Sequence, residues 1–405
     1  MRVSFKSWAA AAALCAGAGL AHADYSDGVI KIGVMNDMSG IYSDVSGAGS
    51  VWAAKKAVDD YCKANKCDAK IEVVFGDHQN KPDVGSNIAR QWYDVDKVDA
   101  IVDVPTSSVA LAINTITKEK NRVFLNSGAA SSDLTGKACS PNTIHWTYDT
   151  WQLANGTGNA IVKTGGDTWF FITADYAFGH ALERDTSAVV EKAGGKVLGK
   201  VRAPFPGTDF SSFLLQAQQS KAKIIGLANA GGDTINSIKQ AAEFGIVQGG
   251  QNLAGLLVFI TDVHSLGLPI AQGLIFTGSW YWDMTDNNRA FAKEFAAANK
   301  GRMPTMVSAG VYSAVTHYLK TVFALKSDAD GAKVVAKMKE MPTDDKLFGK
   351  GYIRPDGRKM HTSYLFEVKK PSESKGEWDL MKVRATIPAD QAFRPLKDGG
   401  CPLVK

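Results

Sequence analysis

From residue 29 onward, short apolar runs alternate with amphipathic stretches. Residues 29–35 (VIKIGVM) form a β-branched run that predicts a strand. The Gly- and Ser-rich segment 37–49 then reads as a loop. Within 50–64, Val51, Ala54, Ala57, Val58 and Tyr61 recur at helical spacing. Further strands are predicted at 71–75, 100–104 and 122–125. A helix is predicted at about 83–93, and another runs to Lys120 from a cap at Ser107 and Ser108. Four strands separated by helices predict a parallel sheet wrapped by crossovers.

The pattern then restarts. Strands are predicted at 169–173, 196–201, 224–228 and 253–259, and helices at 178–193, 210–218 and 231–244. The two series read as similar lobes duplicated in architecture rather than in letters. A strand at 274–277 leads into Trp280, Tyr281 and Trp282, followed by two or three helices within 287–339. Short antiparallel strands are predicted at 351–353, 363–368 and 378–383. The simplest path runs from lobe one to lobe two, back, and across again. The expected boundaries are 24–147 with 278–345 for lobe one, and 148–277 with 346–405 for lobe two, a return of the C-terminal tail toward lobe one being the alternative for its last part. The class is α/β.

The first 23 residues change where this fold must work. Arg2 and Lys6 precede an apolar run from Trp8 to Leu20, and Ala21-His22-Ala23 follows as a small-x-small cleavage site. That is the pattern of a secretory signal peptide. The run falls short of the ~20 residues that span a bilayer. Leu14 before Cys15 is too bulky for lipoprotein processing, so a soluble periplasmic protein is expected. The formal charge of +5 includes Arg2 and Lys6, and the remainder is dispersed. Nucleic-acid and membrane-surface roles therefore gain no support.

Beyond the signal, four cysteines allow three disulfide pairings in an oxidising compartment. Cys62–Cys67, flanking a short polar turn, with Cys139–Cys401 is the favoured set. The histidines are scattered without an HxxxH or HExxH pair, so no metal site is expected. There is no GxSxG elbow and no Walker sequence. Gly47-Ala48-Gly49 is a lone GxG with Trp52 where a dinucleotide fingerprint needs a small residue. Neither a cofactor nor catalysis is expected.

Five stretches together carry a family resemblance: IKIGVMNDMSGIYSDVSG (30–47), VDVPTSS (102–108), VFLNSGAASSDLTG (123–136), FFITADYAFGHALERD (170–185) and GTDFSSFLLQAQQSKAKIIGLANAGGD (207–233). In order and spacing the chain resembles a periplasmic solute-binding protein of the leucine/isoleucine/valine-binding type, the receptor of an ABC importer. The resemblance implies two Rossmann-like lobes joined by three hinge crossings, with a ligand cleft between them. It also implies a monomer that hands a small solute to a membrane permease. By position in the motifs, Thr106 and Ser107 match carboxylate-contacting hydroxyls, Ser127 a second such site, and Tyr176 an aromatic that closes over the ligand. Amino-acid binders supply an acid for the ligand's ammonium after the strand at 253–259, where this chain offers Asp262.

The residues themselves agree with a cleft binder. Ligands of open α/β sheets sit beyond the carboxyl ends of the strands. The loops there are rich in hydroxyl and glycine residues: Ser39 to Tyr42, Thr106 to Ser108, and Asn126 to Ala129. Backbone N–H groups at such helix starts hold a carboxylate without a buried cation. Asn229 occupies another cleft-facing loop. Tyr42, Tyr148 and Trp282 add aromatic surface suited to flat or apolar ligands. The expected function is uptake of a branched-chain amino acid or a similar small carboxylate or amide. Aromatic acids are the competing ligands, and sensing for a membrane kinase is the competing role.

Overall fold

The computed structural model describes residues 25–404, so the segment expected as a signal peptide lies outside the described residues. The first lobe is built from β1 (Val29–Asn36), α1 (Gly47–Asn65), β2 (Lys70–Asp77), α2 (Pro82–Asp94), β3 (Ala100–Asp103), α3 (Ser107–Glu119), β4 (Val123–Asn126) and β5 (Thr143–His145). Its five strands are parallel in the order β2-β1-β3-β4-β5. Alternation along β1 explains the two-sided burial. Ile30, Ile32 and Val34 point into one core, while Met35 joins Trp92, Ile101 and Phe124 on the opposite face. Burying each such side chain contributes about 1.5–3 kcal/mol.

The second lobe follows with α4 (Thr150–Lys163), β6 (Thr168–Ala174), α5 (Ala177–Lys192), β7 (Lys196–Ala203), α6 (Ser211–Gln219), β8 (Ile224–Ala228), α7 (Gly232–Glu243), β9 (Asn252–Gly255), α8 (Ile260–Leu266) and α9 (Leu268–Ala271). Its parallel sheet has the order β7-β6-β8-β9. After β10 (Ile275–Gly278) the chain returns to the first lobe as α10 (Asp286–Ala298), α11 (Met306–Leu325) and α12 (Gly331–Glu340), with α11 against α1 and α12 against β4. The last part forms a hairpin, β11 (Tyr352–Ile353) with β12 (Lys359–Met360). Two longer strands, β13 (Ser363–Val368) and β14 (Met381–Ile387), pair antiparallel in the order β10-β13-β14. A single turn, α13 (Ala389–Ala392), follows.

The two-lobed α/β architecture with three crossings is the one the sequence predicts. Buried polar groups tie the crossings together. Gln152 Nε2 donates to Ser279 Oγ at 3.0 Å and also to Ser363 Oγ. Ser279 Oγ donates to the Thr147 carbonyl at 2.9 Å. Arg358 Nη2 reaches the Trp146 carbonyl at 2.8 Å. Each crossing thus satisfies polar groups of another, which keeps their burial from being costly.

Both favoured disulfides, Cys62–Cys67 and Cys139–Cys401, are present. Several elements depart from expectation. The strand predicted at 253–259 stops at Gly255, β5 with α4 and α8 with α9 fill stretches where none was predicted, and the strand expected at 378–383 runs from Met381 to Ile387. No described helix is long and apolar enough to cross a membrane.

Candidate functional site

The loops at the carboxyl ends of both sheets meet face to face. Tyr42 and Val45 come from the β1–α1 loop, Pro105 from β3–α3, Gly128 and Ala130 from β4–β5, and Tyr148 from the first crossing. The second lobe contributes Tyr176, Phe178, Ala230, Leu257 and Phe259. Their side chains leave about 260 Å³ free of atoms. The two lobes are in contact across it, with the Tyr42 and Tyr176 hydroxyls within hydrogen-bond distance. Roomier hollows lie elsewhere: one of about 890 Å³ between the Ser43–Gly49 loop and the start of α11, one of about 1370 Å³ at the amino ends of β8 and β9, and one of about 860 Å³ beside α9. None of these gathers the strand-end loops of both sheets.

The lobes touch through aromatic rings. The Tyr42 and Tyr176 hydroxyls are 2.6 Å apart, and Phe205 stacks on Tyr176 with ring centroids 4.1 Å apart. Gly231, at φ +57°, is required here: a Cβ would sit 3.0 Å from the Ile41 carbonyl and 3.1 Å from the Tyr42 ring. Tyr148 donates to the Gly128 carbonyl at 2.6 Å. Burial pushes the Tyr42, Tyr148 and Tyr176 phenols up, so all three stay protonated.

Among the described residues, no charged side chain lines the pocket. What faces it instead is backbone. Helices α1, α3, α5 and α7 begin at its wall with Ser46, Thr106, Tyr176 and Gly231 as N-caps, and none of these supplies a side-chain cap. The first N–H groups of a helix lack intrahelical partners and carry partial positive charge. Four such ends, two from each lobe, flank the enclosure, a disposition suited to an anion.

The residues nominated from sequence separate into three groups. Tyr42, Tyr148 and Tyr176 line the pocket. Thr106, Ser107, Asn126, Ser127 and Asn229 stand immediately behind it, each within two residues of a lining residue in the chain. Thr106 donates to Asn80 Oδ1, and Ser107 Oγ accepts from the Ser131 N–H at 3.1 Å. Asn126 closes a turn on Ala129, and Asn229 is held by Thr234 and Ser237. Ser127 Oγ is buried without a partner among the described residues.

Asp262 and Trp282 are not brought to the pocket. Asp262 Oδ2 accepts from the Phe259 N–H at 2.9 Å and so caps α8, because the strand ends at Gly255 and the apolar Leu256–Phe259 forms the loop. Leu257 and Phe259 take the pocket positions instead. Trp282 donates to the Trp378 carbonyl at 3.0 Å, and Trp280 packs edge-on against Phe291.

Three buried carboxyls surround the enclosure without lining it. Desolvation pushes Asp103, Asp233 and Asp262 each up to about 7. Asp103 and Val104 both hold positive φ, 86° and 58°, at the end of β3. This strained turn delivers Pro105 to the pocket wall. The signal that sequence reading passed over was the small or apolar neighbour of each polar loop residue: Pro105, Gly128, Ala230 and Leu257.

Comparison with known proteins places this geometry. Residues 29–377 match the family model described as periplasmic binding protein. The chain is 51% identical to a periplasmic binding protein of Burkholderia mallei whose crystal structure it matches with a TM-score of 0.90, over 94% of this chain and 100% of that one. It is 40% identical, with a TM-score of 0.82, to a branched chain amino acid ABC transporter periplasmic ligand-binding protein of Burkholderia xenovorans. That match covers 93% of this chain and 100% of the other. A Leu/Ile/Val-binding protein homolog 6 of Brucella melitensis is 26% identical, over 87% of this chain and 90% of its own length.

Proposed function

Because the chain belongs to the periplasmic binding protein family, we propose that it is the solute receptor of an ABC importer, working as a monomer in the periplasm and taking a small carboxylate with an apolar or aromatic body. One observation carries this reading: four uncapped helix starts converge on a pocket whose walls are rings, aliphatic side chains and no charged group. The carboxylate accepts from lobe-one N–H groups, with Thr106, Ser107 and Ser127 at that end. The apolar body lies among Tyr42, Tyr148, Tyr176, Phe178 and Phe259. Contacts from both lobes favour the closed arrangement, so the solute shifts a hinge equilibrium and the permease reads the closed face. Binding without turnover is all this role requires.

The names of the similar proteins favour a second reading, a branched-chain α-amino acid. An α-ammonium needs an acceptor, and Leu257 and Phe259 stand where the second lobe would present one. Thermal shift and calorimetry with leucine against 4-methyl-2-oxopentanoate decide between them, because the two share a carbon skeleton and differ in the ammonium. Benzoate tests the aromatic variant. Binding of the oxo acid or benzoate with leucine inert is expected, and tight leucine binding would overturn the choice.

A further inference from the structure

A second set of contacts between the lobes begins two residues beyond Ala130 and involves no residue that lines the pocket. In lobe one, the loop after β4 presents Ser132 and Asp133. In lobe two, α5 presents Arg184 and Asp185. Ser132 Oγ donates to Asp185 Oδ2 at 2.7 Å, and Thr150 Oγ1 donates to the same oxygen at 2.6 Å. Thr150 Oγ1 also accepts from the Ser132 N–H at 3.0 Å. Arg184 binds three ways: Nη1 to Asp133 Oδ1 at 2.9 Å, Nη2 to Ser132 Oγ at 2.8 Å, and Nε to Asp185 Oδ1 at 2.9 Å. Ser132, Thr150 and Asp185 are at most 3% exposed. A carboxylate buried that deeply is tolerable only with donors on both oxygens, and here both have them.

The same loop is held from its other side by the C-terminal tail. The tail leaves β14 in the sheet of lobe two and crosses α4, where Asn155 donates to the Gln391 carbonyl. Arg394 Nη2 then donates to the Ser132 carbonyl at 3.0 Å, while Arg354 Nη1 holds the Arg394 carbonyl at 2.7 Å. A Cβ on Gly136 would lie 2.7 Å from the Gly399 carbonyl, so the two backbones touch. The tail then reaches Cys401, bonded to Cys139 in lobe one. It is a covalent connection between the lobes in addition to the three crossings.

We propose that the loop 131–136 is an interlobe clasp, gripped by Arg184 and Asp185 on one side and by the disulfide-tethered tail on the other, and that the clasp sets how far apart the lobes stand when no solute is bound. The idea rests on the hinged-receptor reading, but its readout needs no solute. Arg184 is a positioning residue that acts through Ser132 and touches nothing in the pocket. Because it is half exposed, its loss should shift the closed-to-open ratio about fivefold rather than by the larger factor of a fully buried pair. Opening the Cys139–Cys401 bond releases the second grip, which makes lobe spacing sensitive to thiol reductants.

Small-angle scattering of the ligand-free protein tests this. Arg184→Ala and the pair Cys139→Ser, Cys401→Ser are each expected to raise the radius of gyration. Arg184→Lys should restore part of the compaction, and Cys62→Ser with Cys67→Ser should leave it unchanged. Should the Cys139/Cys401 variant not fold, reductant added to the Cys62/Cys67 variant opens the same bond in an already folded chain. Unchanged radii in folded Arg184→Ala and in the reduced protein would overturn the clasp. A solute panel without hits would overturn the ligand assignment and leave this comparison intact.

Discussion

The Tyr42–Tyr176 contact offers the sharpest test of closure. Tyr176→Phe removes one hydroxyl from a pair 2.6 Å apart and leaves Tyr42, which is 4% exposed, with a buried unpartnered oxygen. Stranding a polar group in this way costs about 1–3 kcal/mol. On the hinged-receptor reading the Tyr42 hydroxyl reaches water once the lobes part, so the whole penalty falls on the closed form. Apparent affinity for the cognate acid should drop roughly 5- to 150-fold. The phenyl ring that the substitution leaves at position 176 keeps its stacking on Phe205, so packing is preserved.

The double variant Tyr42→Phe, Tyr176→Phe removes both groups and with them the desolvation penalty. It should bind more tightly than the single Tyr176→Phe variant, a non-additivity read from a double-mutant cycle. Titration calorimetry measures both, and the melting temperature of the ligand-free proteins controls for folding. If the double variant binds as weakly as the sum of the two singles, the hydroxyls serve the solute itself rather than each other. The reasoning about closure would then fail.

Other perturbations probe the framework. Asp262 is ionised in the unfolded chain above about pH 4 but neutral in the fold up to about 7, so its contribution to stability is lost as pH rises across that window. Asp262→Asn keeps an acceptor for the Phe259 N–H, and its stability relative to the parent should increase from pH 5 to pH 8 in urea unfolding; a pH-independent difference would refute this. Gly310→Ala puts a Cβ 2.0 Å from Thr147 Oγ1 on the first crossing and should cost about 1–3 kcal/mol, largely recovered in a Thr147→Ala background. Opening Cys139–Cys401, which spans 262 residues, should lower the melting temperature more than opening Cys62–Cys67, which spans 5. Loop-closure entropy gives about 5–6 against about 2 kcal/mol.

Most strands and helices were legible because each has a periodic apolar face buried against one sheet. Helix α5 lies one residue from its expected ends, and α7 within one residue of them. Helix α4 was invisible for a physical reason. Its Asn155, Gly156, Thr157, Gly158 and Asn159 have the composition of a loop, yet smallness is what its packing demands. A Cβ on Gly156 would lie 2.2 Å from Thr277 Oγ1, and one on Gly158 3.2 Å from Val189. Close approach to β10 and α5 overrides a poor helix propensity. β9 was overextended for the opposite reason. Leu256 to Phe259 are as apolar as a buried strand, but what buries them is the enclosed cleft and its surroundings rather than a neighbouring strand.

The pocket shows the same limit in its chemistry. Side chains able to pair with a ligand are what the sequence makes visible: Asp262, Asn229 and the hydroxyls of the strand-end loops. The groups that give this enclosure its polarity are main-chain N–H at four helix starts, which every residue except proline possesses and which no letter marks. The polar side chains beside them mostly serve the loops: Asn126 bonds Ala129, Asn229 bonds Ser237, and Thr106 bonds Asn80. They hold the turns that aim the backbone, and the neighbours Pro105, Gly128 and Ala230 are small or rigid, which on the proposed reading leaves a solute room to approach it. Specificity in such a site then follows from the side chains that do face inward. On the proposed reading, the cluster of tyrosine and phenylalanine rings selects by shape, and a wall without an inward carboxylate among the described residues selects against ammonium. An acid placed at Leu257 would meet an amino acid's ammonium directly. The expected consequence of Leu257→Glu is therefore a gain of leucine binding at the expense of the oxo acid, read by calorimetry, and unchanged preference would show that position 257 does not face the solute.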